Sequence, residues 1–200
     1  MGNGIVQTFA SFGHAVTMVD MSEDALEGGF RAIEKSLSRF VKKERISQDD
    51  ADATLARVTL ATDLASAVAD CDLMVEAVFE NEEVKKEIFK TADAAAPAHA
   101  ILASNTSSIS ITRIAAATSR PEKVIGMHFR NPAPVMRLVE LIRSIATDEE
   151  TYRALWDLTR EIGKTPVMTE DFPAFIVNRI LLPMVNEAIY TLYEGVGSVE

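Results

Sequence analysis

Within VIGMHFRNPAPVMRLVELI, Val124 to Ile142, two polar residues interrupt otherwise apolar runs: VIGMHF carries His128 and MRLVELI carries Glu140. Burying an imidazole or a carboxylate costs free energy unless a partner satisfies it. The two either satisfy each other as a structural pair or do chemistry together. That chemistry would be proton transfer. A neutral imidazole titrates near working pH and can take a proton from a hydroxyl. A carboxylate on its other nitrogen would fix the tautomer and stabilise the imidazolium that forms. Two successive strands joined by the NPAPV turn can bring these side chains together without a long loop.

The elements that must hold the pair are readable from hydrophobic periodicity. AVTMVD (Ala15–Asp20), RVTLAT (Arg57–Thr62), LMVEAV (Leu73–Val78), AILASN (Ala100–Asn105) and VIGMHF are short apolar runs, which predicts buried strands covered on both faces. Helical patterns alternate with them. GNGIVQTFASFG places Ile5, Phe9 and Phe12 at helical spacing before a stop at Gly13. The stretch after Asp20 has Ser22 as its N-cap and repeats Leu26, Phe30, Ile33, Leu37 and Val41, predicting a long helix over Ser22–Glu44. NEEVKKEIFKTADAAA and DEETYRALWDLTREIG follow the same logic, the second stopping at Gly163. Such alternation predicts an α/β fold with a doubly wound, mostly parallel sheet and ligands at the carboxyl ends of its strands. After KTPVMT, the expected last strand, the pattern becomes one long apolar-rich helix from near Pro173, kinked at Pro183. Its breadth of apolar positions predicts packing against partners outside the chain.

Composition narrows the function classes. The net charge of -10, from 20 Lys and Arg against 30 Asp and Glu, argues against a nucleic-acid binder, whose affinity rests on neutralising phosphates. The single cysteine, Cys71, reads as packing, His14 and His99 fall in expected loops, and no metal site is assigned. There is no membrane-spanning apolar run and no basic-then-apolar leader, so the expected location is cytoplasmic.

The chain opens on a helix where a dinucleotide-binding unit would open on a strand leading into G-x-G-x-x-G. Met1-Gly2 stands where that motif would end, and Asp20 closes the next strand at close to the distance expected of the acidic residue that binds the ribose hydroxyls. A plain helix-initial glycine and a strand-terminal Asp capping the Ser22 helix account for the same residues. If a cofactor binds, a carboxylate at Asp20 repels a 2'-phosphate, which favours NAD over NADP.

Four stretches together carry a resemblance: DLMVEAVFENEEVKKEIF, ILASNTSSISIT, VIGMHFRNPAPVMRLVELI and FIVNRILLPMVNEA. In this order and spacing they resemble the (S)-3-hydroxyacyl-CoA dehydrogenase family, closest to the bacterial 3-hydroxybutyryl-CoA dehydrogenases. The likeness covers essentially all 200 residues. It implies a Rossmann-like NAD-binding domain over residues 1–170, without its first strand and the start of its glycine motif. It also implies the beginning of a helical substrate and dimerisation domain over residues 171–200, so that the chain looks trimmed at both ends.

By position, the resemblance makes His128 the catalytic base and Glu140 its partner. Ser107 would touch substrate and nicotinamide, and Asn178 the substrate's thioester and reacting oxygen. Gly2, Asp20, Ala77, Glu80, Lys85, Ser107 and Asn131 would surround NAD, while Ser36 and Lys43 would meet coenzyme A. An acyl-CoA substrate and a homodimer of the full-length protein are implied, with neither nucleic acid nor membrane as partner. Two positions depart from the pattern: Arg130 stands where the family usually has an aromatic residue, and Ala174 where it usually has glycine. A same-fold dehydrogenase of a non-CoA hydroxy acid, or a non-catalytic relative, are the other readings of these residues.

Overall fold

A computed structural model of the chain describes residues 1–199. It begins with α1 (Gly2–Ser11), β1 (Val16–Val19), α2 (Glu23–Lys42), α3 (Gln48–Ala56), β2 (Val58–Ala61), α4 (Leu64–Ala67) and β3 (Leu73–Glu76). It continues through α5 (Glu82–Ala95), β4 (Ile101–Ser104), α6 (Ile111–Ala115), a 3-10 turn (Pro121–Lys123), β5 (Val124–Phe129), β6 (Leu138–Arg143), α7 (Glu149–Glu161), β7 (Thr165–Glu170) and α8 (Val177–Tyr193).

Local chemistry starts most of the helices. The side chains of Ser22, Ser47, Asp63, Asn81, Ser110 and Asp148 each accept from the N–H three residues ahead, satisfying a donor that the first turn leaves orphaned. Two helices lack such a cap, α1 and α8. Both lie where the function is expected.

The strands form the mostly parallel α/β arrangement that the sequence predicts, with one refinement. The ladder is divided: β1 and β2 pair as a two-stranded parallel sheet, and five strands run in the order β3-β4-β5-β6-β7. Within the larger sheet β3, β4 and β5 are parallel, β6 is antiparallel to β5, and β7 is parallel to β6. The carboxyl ends of β3, β4 and β5 therefore share one edge.

Strand alternation distributes the core to both faces of that sheet. Leu102, Val124 and Ile142 face a cluster with Phe89 of α5 and Ile111 and Ile114 of α6. Ala103, Ile125, Met127 and Leu141 face the other cluster, with Ile5 and Phe9 of α1 and Leu155 of α7. A third cluster packs Val6 and Met18 against Leu26, Ile33 and Leu37 of α2. Each fully buried aliphatic side chain here contributes about 1.5–3 kcal/mol by leaving water. Every residue of β5 is buried, so this strand is a rigid place to hold a functional group. Gly126 allows that packing, because a Cβ there would lie 2.8 Å from the Ile142 side chain.

Some expectations shift. The long second helix runs over Glu23–Lys42, ending before Glu44, whose φ of 54° leaves the helical region. The last helix starts at Val177 and not near Pro173, because Ala174 and Phe175 adopt φ of 66° and 54°. It then continues through Pro183. Helix α8 has no buried residue, and Ile180, Leu182, Met184 and Ile189 on it are exposed. No helix among the described residues is long and apolar enough to cross a membrane.

Candidate active site

His128 and Glu140 are direct cross-strand partners in the antiparallel β5–β6 register. Residues so paired project to the same face. Their side chains meet there, with His128 Nδ1 2.9 Å from Glu140 Oε2, and the two residues are only 3% and 1% exposed. An ionised carboxylate can only accept, so Nδ1 carries a proton, and in the neutral imidazole Nε2 is left with its lone pair. That lone pair faces Ser107, whose Oγ lies 3.1 Å from Nε2. The Phe175 ring stands edge-on to the imidazole, 5.8 Å between centroids, and closes its other side.

Glu140 also supplies the cap that α8 lacks. Its Oε1 accepts from the backbone N–H groups of Ile176 and Val177, each at 3.0 Å. Burial pushes the carboxyl pKa up, but the hydrogen bonds from His128, Val177 and Ile176 outweigh it and hold Glu140 below the usual carboxylate value. The carboxylate is thus ionised and fixed from two sides. One residue ties the imidazole to the start of the last helix.

Ser107 is held by a second carboxylate. Glu80 Oε1 accepts from the N–H groups of Ser107 at 2.9 Å and Ser108 at 3.1 Å, and from the hydroxyls of Thr106 and Ser108. Burial raises the Glu80 pKa, and these donors together with Lys85 more than reverse that, so it too lies below the ordinary value. Behind it, the Lys85 ammonium is buried between Glu76 Oε1 at 2.7 Å and Glu80 Oε2 at 3.4 Å. Glu76 Oε2 in turn accepts from Ser104 Oγ at 2.7 Å, and Asn105 Oδ1 accepts from Phe129 N–H at 2.8 Å. The loop after β4 is therefore fastened both to β3 and to the end of β5.

The remaining candidates lie apart from these contacts. Gly2 begins α1, where no side chain caps the helix, the first turn has no acidic residue, and a Cβ on Gly2 would meet open space. A helix N-terminus of this kind suits a pyrophosphate. Asp20 is exposed just past β1, and its Oδ1 accepts from Ser22 N–H at 3.0 Å, which orients it without burying it. Ala77 directly follows β3. These residues fit a dinucleotide: an open donor end for phosphate and an exposed carboxylate for ribose. Ser36 and Asn131 line one cavity of about 160 Å³ with Asn3, Gly4, Gln7 and Pro134, and the buried Gln7 Nε2 there has no hydrogen-bond partner. Lys43 is the exposed C-cap of α2, two turns beyond Ser36.

Asn178 is the second residue of α8, and its Oδ1 accepts from Arg130 Nη1 at 3.1 Å. The structure thus joins Ser107, His128, Glu140, Glu80 and Lys85 through direct contacts and reaches Asn178 through Arg130. Sequence reasoning missed Glu76, Ser104, Thr106 and Ser108, which build the loop. The buried polar Glu76 in the apolar run LMVE carried the same signal as His128 and Glu140.

Comparison with known proteins places these features among relatives. The sequence pattern described as "3-hydroxyacyl-CoA dehydrogenase, NAD binding domain" matches residues 1–172. The 3-hydroxybutyryl-CoA dehydrogenase of Bradyrhizobium diazoefficiens is 53% identical over 200 residues, covering 100% of this chain and 68% of that protein. Human mitochondrial hydroxyacyl-coenzyme A dehydrogenase is 44% identical over 205 residues, covering 100% of this chain and 65% of the human one. Among solved structures, (S)-3-hydroxybutyryl-CoA dehydrogenase PaaH1 from Ralstonia eutropha superposes with a TM-score of 0.95 at 46% identity, covering 100% of this chain and 70% of its own. FadB2 of M. tuberculosis does so with a TM-score of 0.96 at 39% identity and the same coverage.

Proposed function

From the premise that this chain belongs to the 3-hydroxyacyl-CoA dehydrogenase family, we propose that it carries the hydride and proton chemistry of (S)-3-hydroxyacyl-CoA oxidation, with 3-hydroxybutyryl-CoA as substrate. The observation that supports it most is the relay from Ser107 Oγ to His128 Nε2 and from His128 Nδ1 to Glu140.

Oxidising a secondary alcohol removes a hydride from carbon and a proton from oxygen. NAD supplies the hydride acceptor when bound. The rest is the work of this chain. His128 Nε2 takes the hydroxyl proton, and Glu140 stabilises the imidazolium through Nδ1. Ser107 Oγ–H and the Asn178 amide donate to the reacting and thioester oxygens, where charge changes most. In the reverse direction protonated His128 returns its proton to the ketone. Glu80 keeps Ser107 in place by fixing its backbone N–H. Gly2 and Asp20 position the pyrophosphate and ribose, and the Asp20 charge selects NAD over NADP. Ala77, Asn131 and Lys85 belong to the cofactor side, Lys85 acting through Glu80, while Ser36 and Lys43 receive coenzyme A.

Residues 1–170 form the cofactor domain in this reading, and residues 171–200 begin a helical domain. The exposed apolar side of α8 serves that domain's packing and a homodimer. A cytoplasmic enzyme with a free Cys71 fits the same picture.

The test is NADH consumption with acetoacetyl-CoA and, separately, with free acetoacetate. It is made on the 200-residue chain and on a chimera carrying the flanking segments of the Bradyrhizobium relative, each beside its His128→Gln variant. The expected result is turnover that requires the CoA moiety and falls by about 10²–10⁴-fold in the variant. Equal turnover of free acetoacetate would remove the CoA thioester from the proposal. A folded chimera without turnover would remove the dehydrogenase.

A further inference from the structure

Arg130 stands immediately after β5 with its side chain 16% exposed, between the His128–Glu140 pair and the start of α8. Its two terminal nitrogens do different things. Nη1 donates to Asn178 Oδ1 at 3.1 Å. Nη2 lies 3.6 Å from Glu140 Oε2, the same oxygen that His128 uses, and has no hydrogen-bond partner. A guanidinium only donates, so the amide of Asn178 must present its oxygen to Arg130 and its two N–H donors elsewhere. An uncharged aromatic residue at position 130 could impose neither this orientation nor this charge.

We propose that Arg130 is a positioning residue for the reaction assigned above: it turns the Asn178 N–H donors toward the substrate's oxygens and, by sharing Glu140 Oε2 with His128, keeps the imidazole a weaker acceptor of charge. The proposal rests on the dehydrogenase reading for its kinetic part and on geometry alone for its electrostatic part.

The groups around His128 set the sign. Glu140 on β6 favours the imidazolium, and Ser107 and Phe175 bring no charge. Glu80 and Lys85 stand behind Ser107 and are bonded to each other. Arg130 is the cation that competes with protonated His128 for one carboxylate oxygen. A nearby like charge disfavours ionisation, so removing Arg130 leaves the imidazolium with less competition for Glu140 and makes His128 easier to protonate. In the oxidation direction the base must be neutral, so the acid limb of the kcat/KM profile moves to higher pH.

The experiment uses the 200-residue chain and the chimera as wild type, Arg130→Met and Arg130→Lys. The titration of His128 is followed by NMR, with its signals assigned through His128→Gln, and kinetics are measured across pH with 3-hydroxybutyryl-CoA and NAD and, in reverse, with acetoacetyl-CoA and NADH. Arg130→Met is expected to move the acid limb of the oxidation profile and the His128 NMR signals to higher pH and to lower kcat about tenfold with KM for NADH unchanged. Arg130→Lys keeps the charge without the planar fork, so it restores the titration but not kcat. If Arg130→Met loses the native circular-dichroism spectrum, Arg130→Gln repeats the neutralisation. An unshifted His128 titration with wild-type kcat in the folded neutral variant overturns the proposal. A shifted titration in a chimera that turns over no hydroxyacyl-CoA upholds the electrostatic role of Arg130 and removes the dehydrogenase reading instead.

Discussion

The Glu140 carboxylate accepts from His128 through one oxygen and from two helix N–H groups through the other, so its charged form is bound more favourably in the folded chain than in water. Its folded pKa lies below the ordinary value of 4.5. A depressed carboxylate contributes stability that is fully present above the unfolded pKa and is lost as pH falls through the folded one. Glu140→Gln should therefore unfold with a weaker pH dependence below about pH 4.5, the unfolded reference. At neutral pH it should lose roughly 1.5–3 kcal/mol, the worth of hydrogen bonds to a charged group. Its kcat should fall by about 10²-fold or more through loss of the imidazolium partner, with NAD affinity unchanged. Urea melts across pH beside steady-state kinetics check this, and an unaltered acid limb of stability would contradict it. His128 and Glu140 were legible in the sequence because each breaks an apolar run. The work of Glu80 and Lys85 was not, since Glu80 meets Ser107 and Ser108 across 27 and 28 positions of chain and Lys85 is buried against Glu76.

At the scale of elements, the start of α8 shows how a local irregularity serves the site. Ala174 and Phe175 take left-handed φ, which ends the approach to the helix, seats Phe175 against the His128 ring and aims the Ile176 and Val177 N–H groups at Glu140. That conformation costs an L-residue about 1–2 kcal/mol, and glycine adopts it freely. Ala174→Gly is expected to raise stability by about 0.5–1 kcal/mol, the difference between relieved strain and added unfolded-state entropy. A rise in the thermal midpoint would show this, and a fall would mean that the Ala174 side chain contributes packing worth more than the strain. Helix and strand alternation was legible because long apolar periods announce themselves, as in α2 and β5. Helix α3 was not, because QDDADATLA lacks an apolar stripe and is started by the Ser47–Asp50 capping box. The one-turn helices α4 and α6 are too short to show a period.

At the scale of the whole molecule, the division of the ladder into two sheets sets a gradient of stability across the cofactor side. The strands β4, β5 and β6 are paired on both edges and packed on both faces, whereas β1 and β2 have only each other. A two-stranded ribbon is marginal without a packed face. Here α1, α2 and α3 supply one, packing Val6, Leu26, Ile33, Leu37 and Ala51 around Met18 of β1. The β1–β2 unit should consequently open by local fluctuations well below the global unfolding free energy, while β5 exchanges only on global opening. Amide hydrogen exchange followed by mass spectrometry should find Val16–Val19 and Val58–Ala61 protected at least about 10²-fold less than Val124–Phe129, a gap of about 2.7 kcal/mol. In the proposed mode NAD meets Asp20, which directly follows β1, so its binding energy would be tied to that strand. Binding raises the free energy of any opening that releases the ligand. Added NAD should thus slow exchange in β1 and at the start of α1 more than in β7, which holds none of the proposed cofactor residues. Equal slowing across all strands would mean that the ligand reports only on global unfolding, and no slowing in β1 would place the dinucleotide away from Asp20.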